Sequence, residues 1–270
     1  MVNVTFLGTG GAFSSGRRTN LALLIEGPAF RMLIETGPMV IEQLDRVDLR
    51  ATDVDQLFVT HAHGDHVLGF PMLALNRLEA GAPLDVYAGL STIASLRILC
   101  ALAFSSLGPD RLDLRWHALS EEGPDETRLS AGVGLRTAVI EHPPDVPTLG
   151  ARWDFDGGPS VTLITDTRPA DVGVELARGS DLLIHEASFS VVLEPEANAG
   201  DHYHSTAKEA GEVAREAGCA RLALVHLGSE IGENPDVLVE EARAGTDLEV
   251  IVPEDGQRLS LGETKEEEER

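Results

Sequence analysis

At 270 residues with 43% hydrophobic content, the chain has enough apolar material for a sizeable core, and its length suits a single α/β domain. No apolar run approaches the roughly 18 residues that a membrane helix needs, and the strand-like start Val2-Asn3-Val4-Thr5-Phe6-Leu7 lacks the basic and apolar regions of a secretory signal, so a cytoplasmic protein is expected. The net charge of −24, from 21 Lys+Arg against 45 Asp+Glu, disfavours nucleic acid as a partner, because such binding rests on neutralising phosphates.

After the opening strand, Gly8-Thr9-Gly10-Gly11-Ala12-Phe13 lacks the third glycine of a dinucleotide fingerprint, and the strand-like Leu21 to Ile25 follows where a helix would be needed. Residues 8–20 therefore read as a Gly/Ser loop, either solvated or holding Arg17, Arg18 and Asn20 within reach of an anionic ligand. Glu26-Gly27-Pro28-Ala29 reads as a hairpin turn into the strand Arg31 to Glu35, followed by helical character over 38–46 and a strand that ends at Thr60. Next come a helix from Val67 to about Ala80, a strand over 84–88, and a helix from Ser91 to Leu107 with Ser91 as cap and Gly108-Pro109 as stop. That last helix is apolar around much of its circumference, so it is either well buried or partly a subunit interface, and a homodimer is expected on the second reading. Strands follow over 112–119, 134–141, 149–155 and 160–165. The remainder alternates: helix 171–178, strand 181–185, helix 205–217, strand 221–226, helix 235–243, strand 248–252. This habit predicts sheets packed face to face with helices outside. Residues 1–262 form one domain on this reading, and 263–270, with five Glu against one Lys and one Arg, form a solvated charged tail. Cys100 and Cys219 lie in helix-like segments without paired spacing, as buried free thiols do.

The chemistry concentrates in Thr60-His61-Ala62-His63-Gly64-Asp65-His66, three imidazoles and a carboxylate within six residues at the end of an apolar strand. Imidazole nitrogen and carboxylate oxygen suit Zn²⁺ or a similar divalent ion. One tight turn does not easily wrap four side chains around a single ion, so two neighbouring ions are expected. The bland alternative is a chance cluster of surface histidines. Three later strand ends supply further donors: Val139-Ile140-Glu141-His142, Leu163-Ile164-Thr165-Asp166, and Leu224-Val225-His226. Each alone is an ordinary turn residue. Together they follow the way α/β folds gather ligands at one sheet edge.

The H-x-H-x-D-H pattern and the later His, Asp and His resemble the metallo-β-lactamase superfamily over nearly the whole chain. The resemblance implies an αββα four-layer sandwich in which His61, His63 and His142 hold one metal, Asp65, His66 and His226 hold the other, and Asp166 bridges both. His185-Glu186-Ala187-Ser188-Phe189 and His204-Ser205-Thr206 resemble the H-E-A-[ST]-[FY] and H-S-T elements of the ribonuclease Z and phosphodiesterase branch. By that likeness His204 serves the leaving group, Glu186 orients His204, and Asp65 both binds metal and orients the nucleophile. The bland readings are a strand-end carboxylate for Glu186 and a helix-entry residue for His204. The basic, Gly/Pro-rich arm with which ribonuclease Z enzymes grip tRNA is missing, since only 23 residues separate His142 from Asp166. The expected activity is thus a dinuclear-metal hydrolase acting on a small or nucleotide-like phosphodiester, with tRNA disfavoured. Zn²⁺ suits the donors, and Mn²⁺ or Fe²⁺ fits the same set. The alternatives are a carboxylic-ester, lactone, thioester or sulfate-ester hydrolase on the same platform and, from another class, a non-catalytic metal-stabilised binding module. His117, His185 and His202 read as structural or peripheral, with a place in the pocket wall as the alternative for His202.

Overall fold

The structure, a computed structural model, describes residues 1–13, 18–104 and 113–262. Two seven-stranded sheets face each other. The first runs β14-β1-β2-β3-β4-β5-β6, from β1 (Val2–Gly8), β2 (Ala22–Gly27), β3 (Phe30–Ile34), β4 (Gln56–Val59), β5 (Leu84–Gly89), β6 (Leu114–Leu119) and β14 (Gln257–Leu261). The second runs β13-β12-β11-β10-β9-β8-β7, from β7 (Asp125–Arg128), β8 (Val133–Ile140), β9 (Thr148–Phe155), β10 (Ser160–Ile164), β11 (Leu182–Glu186), β12 (Arg221–Val225) and β13 (Glu249–Ile251). Helices α1 (Val40–Asp45), α2 (Gly64–Val67), α3 (Phe70–Ala80) and α4 (Leu90–Ala103) belong to the first half of the chain. Helices α5 (Asp171–Ala177), α6 (Ala207–Ala217) and α7 (Pro235–Arg243) belong to the second half.

Three apolar layers explain the expected four-layer sandwich. Successive side chains of a strand point to opposite faces, so Phe58 of β4 enters the core between the sheets while Leu57 and Val59 pack under the outer helices. Likewise Ile184 of β11 faces the other sheet and Leu183 faces α6. Strands covered on both faces read as continuous apolar runs, which is why they are visible in the sequence. Between the sheets Trp153 meets Phe58 edge to face with ring centroids 5.5 Å apart and donates its indole N–H to Met32 Sδ at 3.2 Å.

Each sheet is antiparallel on one side and parallel on the other. β3 to β6 run parallel, as do β10 to β13. Helices fill these crossovers, so the carboxyl ends of β3, β4, β10, β11 and β12 are free to carry a site.

Several boundaries differ from expectation. The helix expected from Val67 divides at Gly69 into α2 and α3, and α2 itself carries Asp65 and His66. A Cβ on Gly69 would lie 2.1 Å from the Gly37 carbonyl, so the chain turns there at a backbone contact that no periodicity reveals. β7 and β14 were not expected: both are short, polar edge strands, and β14 is held by pairing with β1 at the other end of the chain. Gly89 rather than Ser91 caps α4, because the Ser91 amide and hydroxyl both donate to Glu121 instead. α4 ends at Ala103, short of the expected Leu107, because Phe104 takes up extended backbone; the expected Gly108-Pro109 stop, Arg17, and the tail 263–270 lie outside the described residues. Arg18 turns away from any ligand role, donating to Thr9 Oγ1 and to the carbonyls of Pro253 and Gly232, and Asn20 donates to the Gly11 carbonyl. Both cysteines are free and buried, which pushes each thiol up to about 11. Among the described residues no helix is long and apolar enough to cross a membrane.

Candidate metal centre

The seven expected ligands converge where the carboxyl ends of the two sheets meet. His61 Nε2 and His142 Nε2 lie 3.0 and 3.2 Å from His63 Nδ1, and Asp166 Oδ2 stands 3.7 Å from His61 Nε2. On the other side, Asp65 Oδ2 lies 3.2 Å from both His66 Nε2 and His226 Nε2, while Asp166 Oδ1 lies 3.6 and 3.4 Å from the same two nitrogens. Ligands at roughly 2.0–2.1 Å around a tetrahedral ion stand about 3.4 Å apart, so both quartets have the spacing of a coordination shell. The two carboxylate oxygens of Asp166 divide between them.

His66 tests whether these donors fit an ion. Both of its ring nitrogens are buried without a hydrogen bond, a costly state for polar atoms unless another partner takes them. Three of the other histidines have the protonation that ligation needs: burial pushes His142 down to about 4, drives His61 well below the usual imidazole range, and lowers His63. Burial alone would raise Asp166, but His226 and His66 outweigh it and hold the carboxyl well below its usual range. Burial likewise opposes the charge on His66, yet Asp166 and Glu35 overcome it and raise the group well above its usual value, so an incoming cation displaces a proton there.

Local backbone explains the aim of the side chains. Asp166 and His226 each follow a strand end with φ of 49° and 53°. This left-handed conformation is uncommon outside glycine and turns the side chain back over the sheet edge. The loop after β4 is clamped from outside: the Thr36 amide donates to the His66 carbonyl and the Gly69 amide to the Thr36 carbonyl, both at 2.8 Å. Gly37 permits that approach, since a Cβ there would lie 2.2 Å from the Asp65 carbonyl.

Beside the centre, His204 lies with its ring 5.7 Å from that of His142 and 5.6 Å from that of His226. Its Nδ1 donates to Glu186 Oε1 at 2.9 Å. Burial lowers the affinity of His204 for a proton, but Glu186, helped by Asp166 and Asp65, holds it up to about 9. Glu186 is fully buried and also accepts the amides of Thr167 and Ser188, so it braces the turn after Asp166. The H-S-T segment divides its labour. His204 faces the centre, Ser205 donates to the Thr167 carbonyl at 2.6 Å, and Thr206 caps α6 through a reciprocal box with Glu209.

Three contacts were not anticipated. His61 Nδ1 meets Thr60 Oγ1 at 2.9 Å, His226 Nδ1 meets Ser188 Oγ at 3.0 Å, and buried Glu35 stands 3.4 Å from His66 Nδ1. Thr60 and Ser188 adjoin recognised motifs, which was the available signal. Glu35, at another strand end, had none. His117 stacks on Tyr87 and bonds Asp85, and His185 donates to the Glu186 carbonyl; neither belongs to the converging quartets. His202 stacks on Phe189, one ring removed from His204.

The beta-lactamase superfamily domain matches residues 30–227. A ribonuclease Z of Halorubrum lacusprofundi is 30% identical over 312 aligned positions, which take in 96% of this chain and 97% of that protein. An alignment longer than the 270-residue chain means that the relative holds segments without counterpart here. Among solved structures, the metallo-beta-lactamase fold protein YhfI of Bacillus subtilis superposes with a TM-score of 0.79 at 22% identity, covering 96% of this chain and 98% of its own. The short form of human tRNase Z superposes with a TM-score of 0.76 at 24% identity, covering 96% and 99%.

Proposed function

The chain belongs to the beta-lactamase superfamily, in its ribonuclease Z-like branch, and is a metal-dependent hydrolase; from that premise we propose that it binds two divalent ions and cleaves a small or nucleotide-like phosphodiester. His61, His63, His142 and Asp166 would hold one ion and Asp65, His66, His226 and Asp166 the other, all within one domain spanning 1–262 with 263–270 as a charged tail. Zinc suits this nitrogen-rich set best. When bound, the ions supply hydroxide from water near neutral pH and offset the negative charge that develops on a phosphodiester. The chain's own residues do the rest. Asp65, ligand to one ion, has its carboxylate beside the space where the nucleophile must lie and orients it. His204, protonated at neutral pH because Glu186 holds its Nδ1, delivers the Nε2 proton to the departing alkoxide.

The observation that carries this reading is the Glu186–His204 pair beside the bridged quartets. A poor alkoxide leaving group requires an acid at that place, whereas a metal-binding module requires none. Substrate size is argued from the 23 residues between His142 and Asp166. They form β9, β10 and short connections, with no projecting arm. With the net charge of −24, this supports a small phosphodiester over tRNA. The name of the ribonuclease Z relative favours a second reading, processing of an RNA 3′ end. Steady-state hydrolysis of bis(p-nitrophenyl) phosphate, p-nitrophenyl acetate, a lactone and a precursor tRNA, on protein of measured metal content, decides among them. Phosphodiester turnover that needs two ions per chain and exceeds tRNA cleavage is the expected outcome. Activity confined to carboxyl esters moves the assignment to the alternative hydrolase class, efficient tRNA cleavage moves it to RNA processing, and a fully metallated but inert protein moves it to the binding module.

A homodimer forms part of the same proposal. Leu90, Ala94, Ile98 and Leu102 make an exposed stripe at i, i+4, i+8 and i+12 along α4, with Ile98 59% and Leu102 79% exposed. On so acidic a chain, a helix that carries no carboxylate of its own, and whose one charge is Arg97, is where a second copy meets least repulsion. Sedimentation of wild type against Ile98→Glu checks it, with a dimer expected to become a monomer.

A further inference from the structure

The ring nitrogens of the centre that face away from the ions are partnered unequally. His61 Nδ1 has the Thr60 hydroxyl, His226 Nδ1 the Ser188 hydroxyl, and His142 Nδ1 the Tyr203 carbonyl at 3.4 Å. All three partners are neutral. His66 Nδ1 instead faces a carboxylate, Glu35 Oε1, at 3.4 Å, without an aligned hydrogen bond.

Glu35 is an expensive residue to keep there. It is 0% exposed, Oε1 accepts only the Thr60 amide at 3.3 Å, and Oε2 has no partner. Its backbone is strained as well, with φ of 66° held by the hydrogen bond that its N–H donates to the Phe58 carbonyl. A buried carboxylate without a cation or a full set of donors is destabilising, so its place is explained by what it does to His66. A carboxylate facing Nδ1 requires the proton on that nitrogen and leaves the Nε2 lone pair for an ion. Its charge also raises the basicity of the ring as a ligand.

Resting on the two-ion reading above, we propose that Glu35 is a positioning residue that fixes the tautomer of His66 and selectively strengthens the site of Asp65, His66, His226 and Asp166. In the other quartet the partners behind His61 and His142 are neutral. The two ions are therefore held by unlike means. Glu35 adds a buried negative charge behind one of them alone.

The test is a zinc titration of the metal-free full-length protein, with a chromophoric chelator as competitor, on wild type and Glu35→Gln, whose side chain keeps the shape and loses the charge. The expected result is an unchanged affinity for one ion and a loss of about 10–100-fold for the other, with the unfolding temperature of the metal-free protein no lower than that of wild type and kcat recovering at high zinc. Equal affinities in variant and wild type overturn the proposal, as does an equal weakening of both ions, which marks general damage to the loop. If Glu35→Gln does not fold, Glu35→Asp, which keeps the charge but withdraws it by one methylene, is titrated instead: weakening of one ion supports the proposal and none overturns it. A wild-type protein that takes up fewer than two ions refutes the two-ion reading itself, an outcome visible before any variant is compared.

Discussion

From the first sheet the centre takes four side chains within six residues, His61, His63, Asp65 and His66, on the loop after β4 and one helical turn. From the second sheet it takes His142, Asp166 and His226, one from each of three strand ends more than 20 residues apart. The dense group is aimed collectively, by the clamp of Thr36, Gly37 and Gly69. The dispersed ligands are aimed singly, Asp166 and His226 by a left-handed residue where the strand stops. Damage to the clamp should thus move a whole group, and damage to a strand end should remove one ligand.

The largest expected effect is at Asp166, the residue common to both quartets. Asp166→Ala should strip both ions and lower kcat/KM on bis(p-nitrophenyl) phosphate at least about a thousandfold, the several kcal/mol that paired ions supply. Asp65→Ala or His66→Ala should halve the metal content measured by mass spectrometry. Full retention in either refutes its assignment as a ligand, and loss of one ion in Asp166→Ala would mean that the carboxylate does not bridge.

Next in size is His204. Its replacement by Ala should cost about 10²–10⁴-fold on substrates with poor alkoxide leaving groups and far less on nitrophenyl esters, which leave without a proton. Equal losses on both sink the general-acid role. In the wild type the rate on poor leaving groups should fall on the alkaline side as His204 loses its proton, at a pH below the metal-free value of about 9 because the bound cations oppose its charge, and that limb should vanish in the variant.

Gly37→Ala sharpens the contrast between collective and single aiming. Its Cβ would meet the Asp65 carbonyl at 2.2 Å, so the loop must shift, with an expected loss of about 1–3 kcal/mol in urea unfolding and reduced occupancy of both ions. Wild-type stability and metal content would mean that the dense loop is not held from that side.

The smallest effect concerns the Glu186–His204 pair in metal-free protein. A histidine raised from 6.5 to about 9 stabilises the fold fully below pH 6.5, and this contribution disappears as pH climbs through 9. The gap in unfolding temperature between wild type and His204→Ala should narrow over that window. A gap independent of pH would assign the loss to packing alone.

What the sequence by itself determined follows from local chemistry. Strands buried on both faces read as uninterrupted apolar runs, and four side chains of metal-ligand type within six residues declare themselves, as do the short H-E-A and H-S-T elements. The isolated His142, Asp166 and His226 were readable only as strand-end residues and through the family likeness, because a single polar residue after a strand carries no information about its neighbours in space. Tertiary structure alone decided three matters. It paired β14 with β1 across the ends of the chain. It broke the helix at Gly69, where backbone approaches backbone. It also set Glu35 behind His66 by joining β3 to β4 in parallel register. Each is a long-range contact whose partners lie tens to hundreds of residues apart or touch only through backbone, and such contacts leave no mark on local periodicity.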